Sequence, residues 1–142
     1  MQTERSIEIA ASPEIVWAVT KDVERWPEWT ASVTSVRKLE PGPLVVGSGA
    51  EILQPGTPRA RWVITDYREP THFTWATHVR GVTIVGRHLL EPIANGTRVT
   101  LGVEASGLMA RLFGWRLLPL FKRNLELEAH GLKARAEALV KA

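Results

Sequence analysis

The chain has no cysteine. That excludes a disulfide framework, an iron–sulfur cluster, a thiolate zinc site and a cysteine nucleophile together. It has no run of about 18 apolar residues, so no helical membrane span is expected. Its first ten residues, MQTERSIEIA, lack the basic start and apolar stretch of a secretory signal, which makes the cytoplasm the expected compartment. There is no internal repeat, no low-complexity tract and no linker. GxGxxG, a Walker loop, GxSxG and HExxH are all missing. Nucleotide binding, serine hydrolysis and a metal site are therefore unsupported, and no cofactor is expected. Tyrosine occurs once and phenylalanine three times, whereas tryptophan occurs six times. Tryptophan is costly to expose and fills cores or lines ligand pockets.

The remaining composition describes one globular domain over residues 1–142, with 44% hydrophobic and 23% charged residues. A chain of this size buries roughly two-thirds of its unfolded surface. The net charge is +3, but the basic residues are scattered, so no nucleic-acid partner is expected. The densest set, Arg111, Arg116, Lys122 and Arg123, is interrupted by Leu, Phe and Trp.

Periodicity orders the elements. Thr3–Ala11 alternates as a half-buried strand. Ser12-Pro13-Glu14 supplies an N-cap, a first-turn proline and an acid at the positive end of a short helix. Asp22 caps a second short helix, Val23–Trp26, before Pro27. From residue 30 the chain reads as strands: Ser32–Leu39, Ser48–Gln54, Arg61–Arg68, His72–Val79, Val82–Glu91 and Thr97–Ala105. Asn95-Gly96 marks a hairpin between the last two. Leu108–Leu118 and the run beyond Pro119 to about Lys141 are helical, with Leu118, Phe121, Leu125, Leu132, Ala136 and Leu139 forming an apolar stripe. Pro119 is expected to kink one longer helix. A sheet with one dry face and a helix with one dry stripe pack most economically with the sheet curved around the helix.

Such a sheet cannot be filled everywhere. The space expected lies between its concave face and the N-terminal half of the long helix. An empty apolar void costs on the order of 20 cal/mol per Å3. A ligand-sized void of about 300 Å3 is thus tolerated only if it holds something or collapses.

Particular fragments carry a resemblance. They are Ala11-Ser12-Pro13-Glu14-Ile15-Val16-Trp17, Asp22-Val23-Glu24-Arg25-Trp26-Pro27-Glu28-Trp29, Val46-Gly47-Ser48-Gly49-Ala50, Trp62-Val63-Ile64-Thr65 with Phe73-Thr74-Trp75, Gly96-Thr97-Arg98-Val99-Thr100 and Gly131-Leu132-Lys133-Ala134-Arg135-Ala136-Glu137. In this order and spacing the chain resembles the START-like (SRPBCC) superfamily, and within it the polyketide cyclase/dehydrase and lipid-transport group. The resemblance implies an α+β helix-grip fold. A curved antiparallel sheet of six to seven strands would wrap a long C-terminal helix, with two short helices after the first strand. It also implies a hydrophobic cavity for lipids, polyketides or other small apolar molecules. The superfamily holds carriers, sensors and cyclase-like members, so the fold does not select an activity.

The candidate cavity residues are Trp26, Trp29, Trp62, Phe73, Trp75, His88, Met109, Phe113, Leu117, Leu120 and Asn124. As a set they favour an aromatic, planar or polycyclic ligand. His88 shares parity with Val82, Ile84 and Leu90. It is either an acid/base facing the pocket or a core histidine bonded to a neighbour. Asn124 either orients a ligand oxygen or lies exposed beside Arg123. Glu51 and Asp66 are the carboxylates nearest the sheet interior, unless they are surface groups paired with arginine. His72, His78 and His130 are expected in solvent, the last on a charged helix face with Glu126 and Glu128.

Three functional readings follow. The first is binding of a small hydrophobic molecule. The second is a polyketide cyclase or dehydratase, moving protons at an enolisable carbonyl with His88 as acid/base. The third is a ligand-free dimeric module joined through Phe113 and Trp115. Stable membrane insertion is not expected in any of them.

Overall fold

The computed structural model describes residues 1–141. Its elements are β1 (Gln2–Ile9), α1 (Pro13–Lys21), a 3-10 helix (Val23–Glu28), β2 (Ser35–Lys38), β3 (Gly49–Leu53), β4 (Ala60–Arg68), β5 (His72–Val79), β6 (Val82–Ile93), β7 (Gly96–Ser106) and α2 (Leu108–Lys141). The seven strands form one antiparallel sheet in the order β1-β7-β6-β5-β4-β3-β2. The sheet grips α2, giving the α+β helix-grip arrangement expected from the sequence.

Local chemistry accounts for the boundaries. The Ser12 side chain accepts a hydrogen bond from the Ile15 N–H at 3.3 Å, and Pro13 opens α1 where a missing N–H costs nothing. The 3-10 helix extends two residues past Trp26 and includes Pro27. The β6–β7 turn consists of Ala94 and Asn95, because Ile93 pairs with Gly96. Gly96 is required there by close approach: a Cβ on it would lie 2.0 Å from the Ile9 carbonyl oxygen. α2 runs through Pro119 without a break, about 50 Å at 1.5 Å per residue. Pro119 has no N–H to give to the Trp115 carbonyl, one turn earlier.

The two ends of the sheet differ. At one end lie Ile9, the 69–71 turn and the 94–95 turn. α1 and the 3-10 helix close this end. Thr97 donates to the Ala11 carbonyl at 2.8 Å, and Trp26 Nε1 donates to the Thr20 carbonyl at 3.0 Å. Tyr67 donates to Glu69 at 2.8 Å, and partial burial together with this acceptor holds its phenol above its ordinary value. α2 ends here too. Gly131 lets the helix touch the chain after the 3-10 segment, since a Cβ on it would lie 1.9 Å from the Trp29 carbonyl oxygen. Glu137 accepts from the Ala10 N–H at 2.8 Å and pairs with Lys133, which together hold its carboxyl below the usual range. At the other end lie the β3–β4 turn, the β5–β6 turn, Met1 and the start of α2. Among the described residues neither α1 nor the 3-10 helix reaches this end.

The core follows the pleat and the helix period. Ile9, Ile52, Ile64, Phe73, Leu90, Val99 and Leu101 point inward from the strands, and Phe121, Leu125, Ala129, Leu132 and Ala136 meet them from α2. Burial of this apolar area, at about 25 cal/mol per Å2, holds helix to sheet.

Candidate ligand cavity

The sheet and α2 part company around the middle turns of the helix. A cavity of about 290 Å3 remains, lined by Trp26, Trp62, Trp75, Ile84, Gly86, Leu101, Leu117, Leu120, Phe121, Leu125 and their neighbours. Its rim is formed by Gly56–Pro58 of the β3–β4 turn and Val79–Val82 at the β5–β6 turn. The void therefore opens at the uncovered end of the sheet. Its helical wall runs from Leu117 to Glu128, mostly within the N-terminal half of α2 where the sequence places it and reaching one turn past the midpoint.

Strand pairing builds the wall. Trp75 pairs with Gly86, and Gly86 pairs with Val103, so three inward positions sit side by side. Gly86 has no side chain to fill the space. A Cβ there would stand 3.1 Å from Trp75 Nε1 and 3.8 Å from the Trp62 ring. Trp75 borders the void, and no hydrogen bond of its Nε1 is formed among the described residues. Trp26 is different: its N–H is already committed to Thr20.

One position along, Phe73 pairs with His88 and His88 with Leu101. The His88 ring stacks on Phe73 at 4.1 Å and 14°, and stands edge-on to Trp26 and Trp75. Its Nδ1 lies 3.2 Å from the Phe73 carbonyl oxygen. A carbonyl only accepts, so Nδ1 carries a hydrogen and Nε2 is the nitrogen left to face inward. Across from it stands Glu128, with Oε1 3.9 Å from Nε2; the two side chains are 6% and 14% exposed. That separation is too long for a hydrogen bond. It is also less than twice a hydrogen-bond length, so one ligand oxygen can lie about 3 Å from both atoms.

Several expected lining residues lie elsewhere. Phe73 is fully buried behind His88 and positions its ring. Trp29 packs on Trp26 at 5.5 Å, on the outer side near Arg25 and Arg135. Met109 and Phe113 are 38% and 45% exposed, because α2 begins beyond the edge of the sheet's concave face. Of the set inferred from the sequence, Trp26, Trp62, Trp75, His88, Leu117, Leu120 and Asn124 border the cavity.

Of the two alternatives for Glu51 and Asp66, the structure shows the surface one for both, paired with arginine at Glu51 and with histidine at Asp66. Glu51 points outward between inward-facing Ala50 and Ile52, and pairs with Arg37 and Arg59 at 3.3 and 3.1 Å. Asp66 has the parity of Trp62 and Ile64, but the register shifts between Ile64 and Asp66. That bulge turns Asp66 to the surface, where it meets His72 Nε2 at 2.9 Å. Glu128, expected on the charged face of the helix, is the carboxylate that faces the cavity. Its signal was present: it stands three residues after Leu125 and four before Leu132, on the buried stripe itself.

Among the described residues no cluster of His, Asp or Glu has the makings of a metal site, and no helix is long and apolar enough to cross a membrane. No curated protein matches the sequence. Solved structures do match in fold. The Zhui aromatase/cyclase of Streptomyces sp. R1128 is 17% identical, with 100% of this chain and 96% of that one covered at a TM-score of 0.80. A protein from Thermus thermophilus is 18% identical, with 98% and 99% covered at 0.78. A START superfamily protein from Mycobacterium smegmatis is 18% identical, with 97% and 98% covered at 0.72. The family model for polyketide cyclase / dehydrase and lipid transport matches residues 1–137, and the chain belongs to that family.

Proposed function

We propose that this protein binds one small, flat, largely apolar molecule bearing a hydroxyl or carbonyl group, held in the cavity with that group against His88 and Glu128. The observation that carries the reading is the pairing of an aromatic-walled void of about 290 Å3 with a buried histidine and carboxylate whose facing atoms have no hydrogen-bond partner among the described residues. Apolar walls supply affinity through burial, and a few convergent polar groups fix orientation. With the hydrogen on Nδ1, Nε2 and the Glu128 carboxylate both accept, which suits a ligand hydroxyl or enol that donates to either. Asn124 and the Trp75 N–H are further groups able to hold a ligand oxygen.

Titration of fatty acids, flavonoids and aromatic polyketides against tryptophan fluorescence tests this, together with native mass spectrometry of freshly purified protein. Saturable binding of a planar ligand is expected. Leu120→Trp, at a half-buried position on the cavity wall, should abolish binding while leaving the melting temperature within a few degrees. Absence of saturable binding across the panel, with no co-purifying molecule, overturns the reading.

A second reading is favoured by the His88–Glu128 geometry. Nε2 of His88 would take a proton from the carbon beside a ligand carbonyl. Glu128 would stabilise the imidazolium, and Asn124 or Trp75 would hold the developing enolate oxygen. The enolate carbon then adds to a second carbonyl of the same molecule. His88 returns its proton to the new alkoxide, giving a cyclised product isomeric with the substrate. This is cyclase chemistry on a polyketide-like chain. It requires that His88→Phe lower turnover of such a substrate by about 100-fold or more while the apolar product still binds.

A further inference from the structure

The stretch Leu108–Arg123 at the start of α2 carries an apolar surface that the fold leaves uncovered. Leu108 and Trp115 are each 67% exposed, and Leu112 is 55% exposed. At 100° per residue these three fall on one stripe. Arg111 and Lys122 flank it on one side, Arg116 and Arg123 on the other. No acidic residue occurs between Glu104 and Glu126. Neither these four cations nor Arg80, on the adjoining β5–β6 turn, has an ion-pair partner among the described residues. The Arg116 guanidinium stands over Trp115 at 5.0 Å and over Phe113 at 5.9 Å.

The charge selects among occupants. A second copy related by a two-fold axis would set this cationic patch against itself, with like charges at the rim of the contact. A soluble polyanion would meet the cations and leave the leucines and Trp115 in water. An anionic lipid surface satisfies both. Aliphatic and indole groups enter the boundary between headgroups and acyl chains, while flanking Arg and Lys reach back to the phosphates.

We propose that the N-terminal half of α2, with the β5–β6 turn, docks this protein on anionic phospholipid bilayers. The surface lies at the rim of the cavity. Gly81 of that turn abuts Met109, since a Cβ on it would lie 2.9 Å from Met109 Cγ. Leu117 and Leu120, on the same helix, line the cavity. Docking in this pose turns the mouth toward the lipid. The proposal stands on the surface and does not require that the cavity be occupied.

The test uses the full chain with vesicles of pure phosphatidylcholine and of phosphatidylcholine mixed with phosphatidylglycerol. Co-sedimentation with the phosphatidylglycerol vesicles alone is expected, with release as salt is raised. The double variant Arg111→Gln/Arg116→Gln should bind these vesicles roughly 30-fold more weakly, the loss expected for two basic side chains at an anionic surface. Trp115→Phe should keep binding but remove most of the blue shift in tryptophan emission that accompanies it. Trp115→Ser should weaken vesicle binding while leaving the melting temperature and ligand binding in solution unchanged, so docking and the cavity reading fail separately. Equal sedimentation with both vesicle types, or none with either, overturns the proposal. So does a lipid-free dimer in sedimentation velocity that Trp115→Ser dissociates, which would give the patch to a second copy.

Discussion

The two halves of α2 invert the usual relation between size and burial. The first half, from Leu108 to Leu120, leaves Leu108, Leu112, Phe113 and Trp115 largely in solvent. The second half buries small residues: Ala129 and Ala136 are wholly inaccessible, and Leu132 is 1% exposed. Position relative to the sheet decides this. The second half lies along the sheet and beneath α1, where a close helix–sheet approach demands small side chains. The first half buries only Ala110 and Gly114, on the side that meets Met1 and the β5–β6 turn, and leaves its other side open; between the two halves the helix stands off far enough to leave the cavity. Apolar residues thus take three places along one helix: exposed surface, cavity wall and close-packed core.

Substitutions sharpen the contrast. The largest effect is expected from Gly131→Leu, whose Cβ would fall 1.9 Å from the Trp29 carbonyl oxygen. A backbone clash of this kind should cost about 3 kcal/mol or more, read as a lower urea midpoint or as insoluble protein. Leu132→Ala should destabilise by about 2–5 kcal/mol in the same measurement, through lost burial and the cavity left behind. Glu137→Gln removes a carboxylate held below its ordinary value of 4.5 by the Ala10 N–H and Lys133. A depressed carboxyl contributes stability above that ordinary value and loses it as pH falls through its folded value. The variant should therefore melt slightly lower at pH 7, and its difference from the parent should close on acidification. Leu112→Ala should change stability by no more than about 0.5 kcal/mol despite removing as much side chain as Leu132→Ala. Equal losses at residues 112 and 132 would break the comparison.

Much of the fold was legible because it is written in short-range patterns. The Ser12-Pro13 helix start, the alternation in β5 and β7 and the stripe on α2 each follow from local geometry. The same alternation put His88, Trp62 and Trp75 on one face. The sequence was less informative wherever one irregular residue changes parity. The bulge before Asp66 moved that carboxylate outward, and nothing in Ile64-Thr65-Asp66 announces a bulge. Glu128 was readable by helical spacing, yet its charge argued for the surface; only the facing His88 explains its burial. Met109 and Phe113 have cavity-like chemistry, and their exposure depends on where the sheet stops.

Composition and periodicity by themselves determined that this chain forms strands around a terminal amphipathic helix, without thiol or metal chemistry from cysteine. Those properties depend on residue type and on neighbours a few positions away. The tertiary structure alone decided which end of the sheet stays open, that Gly86 leaves room beside Trp75, and that His88 and Glu128 confront each other across the void. These depend on strand register and on the depth at which the helix sits, which are set by contacts between residues far apart in the chain.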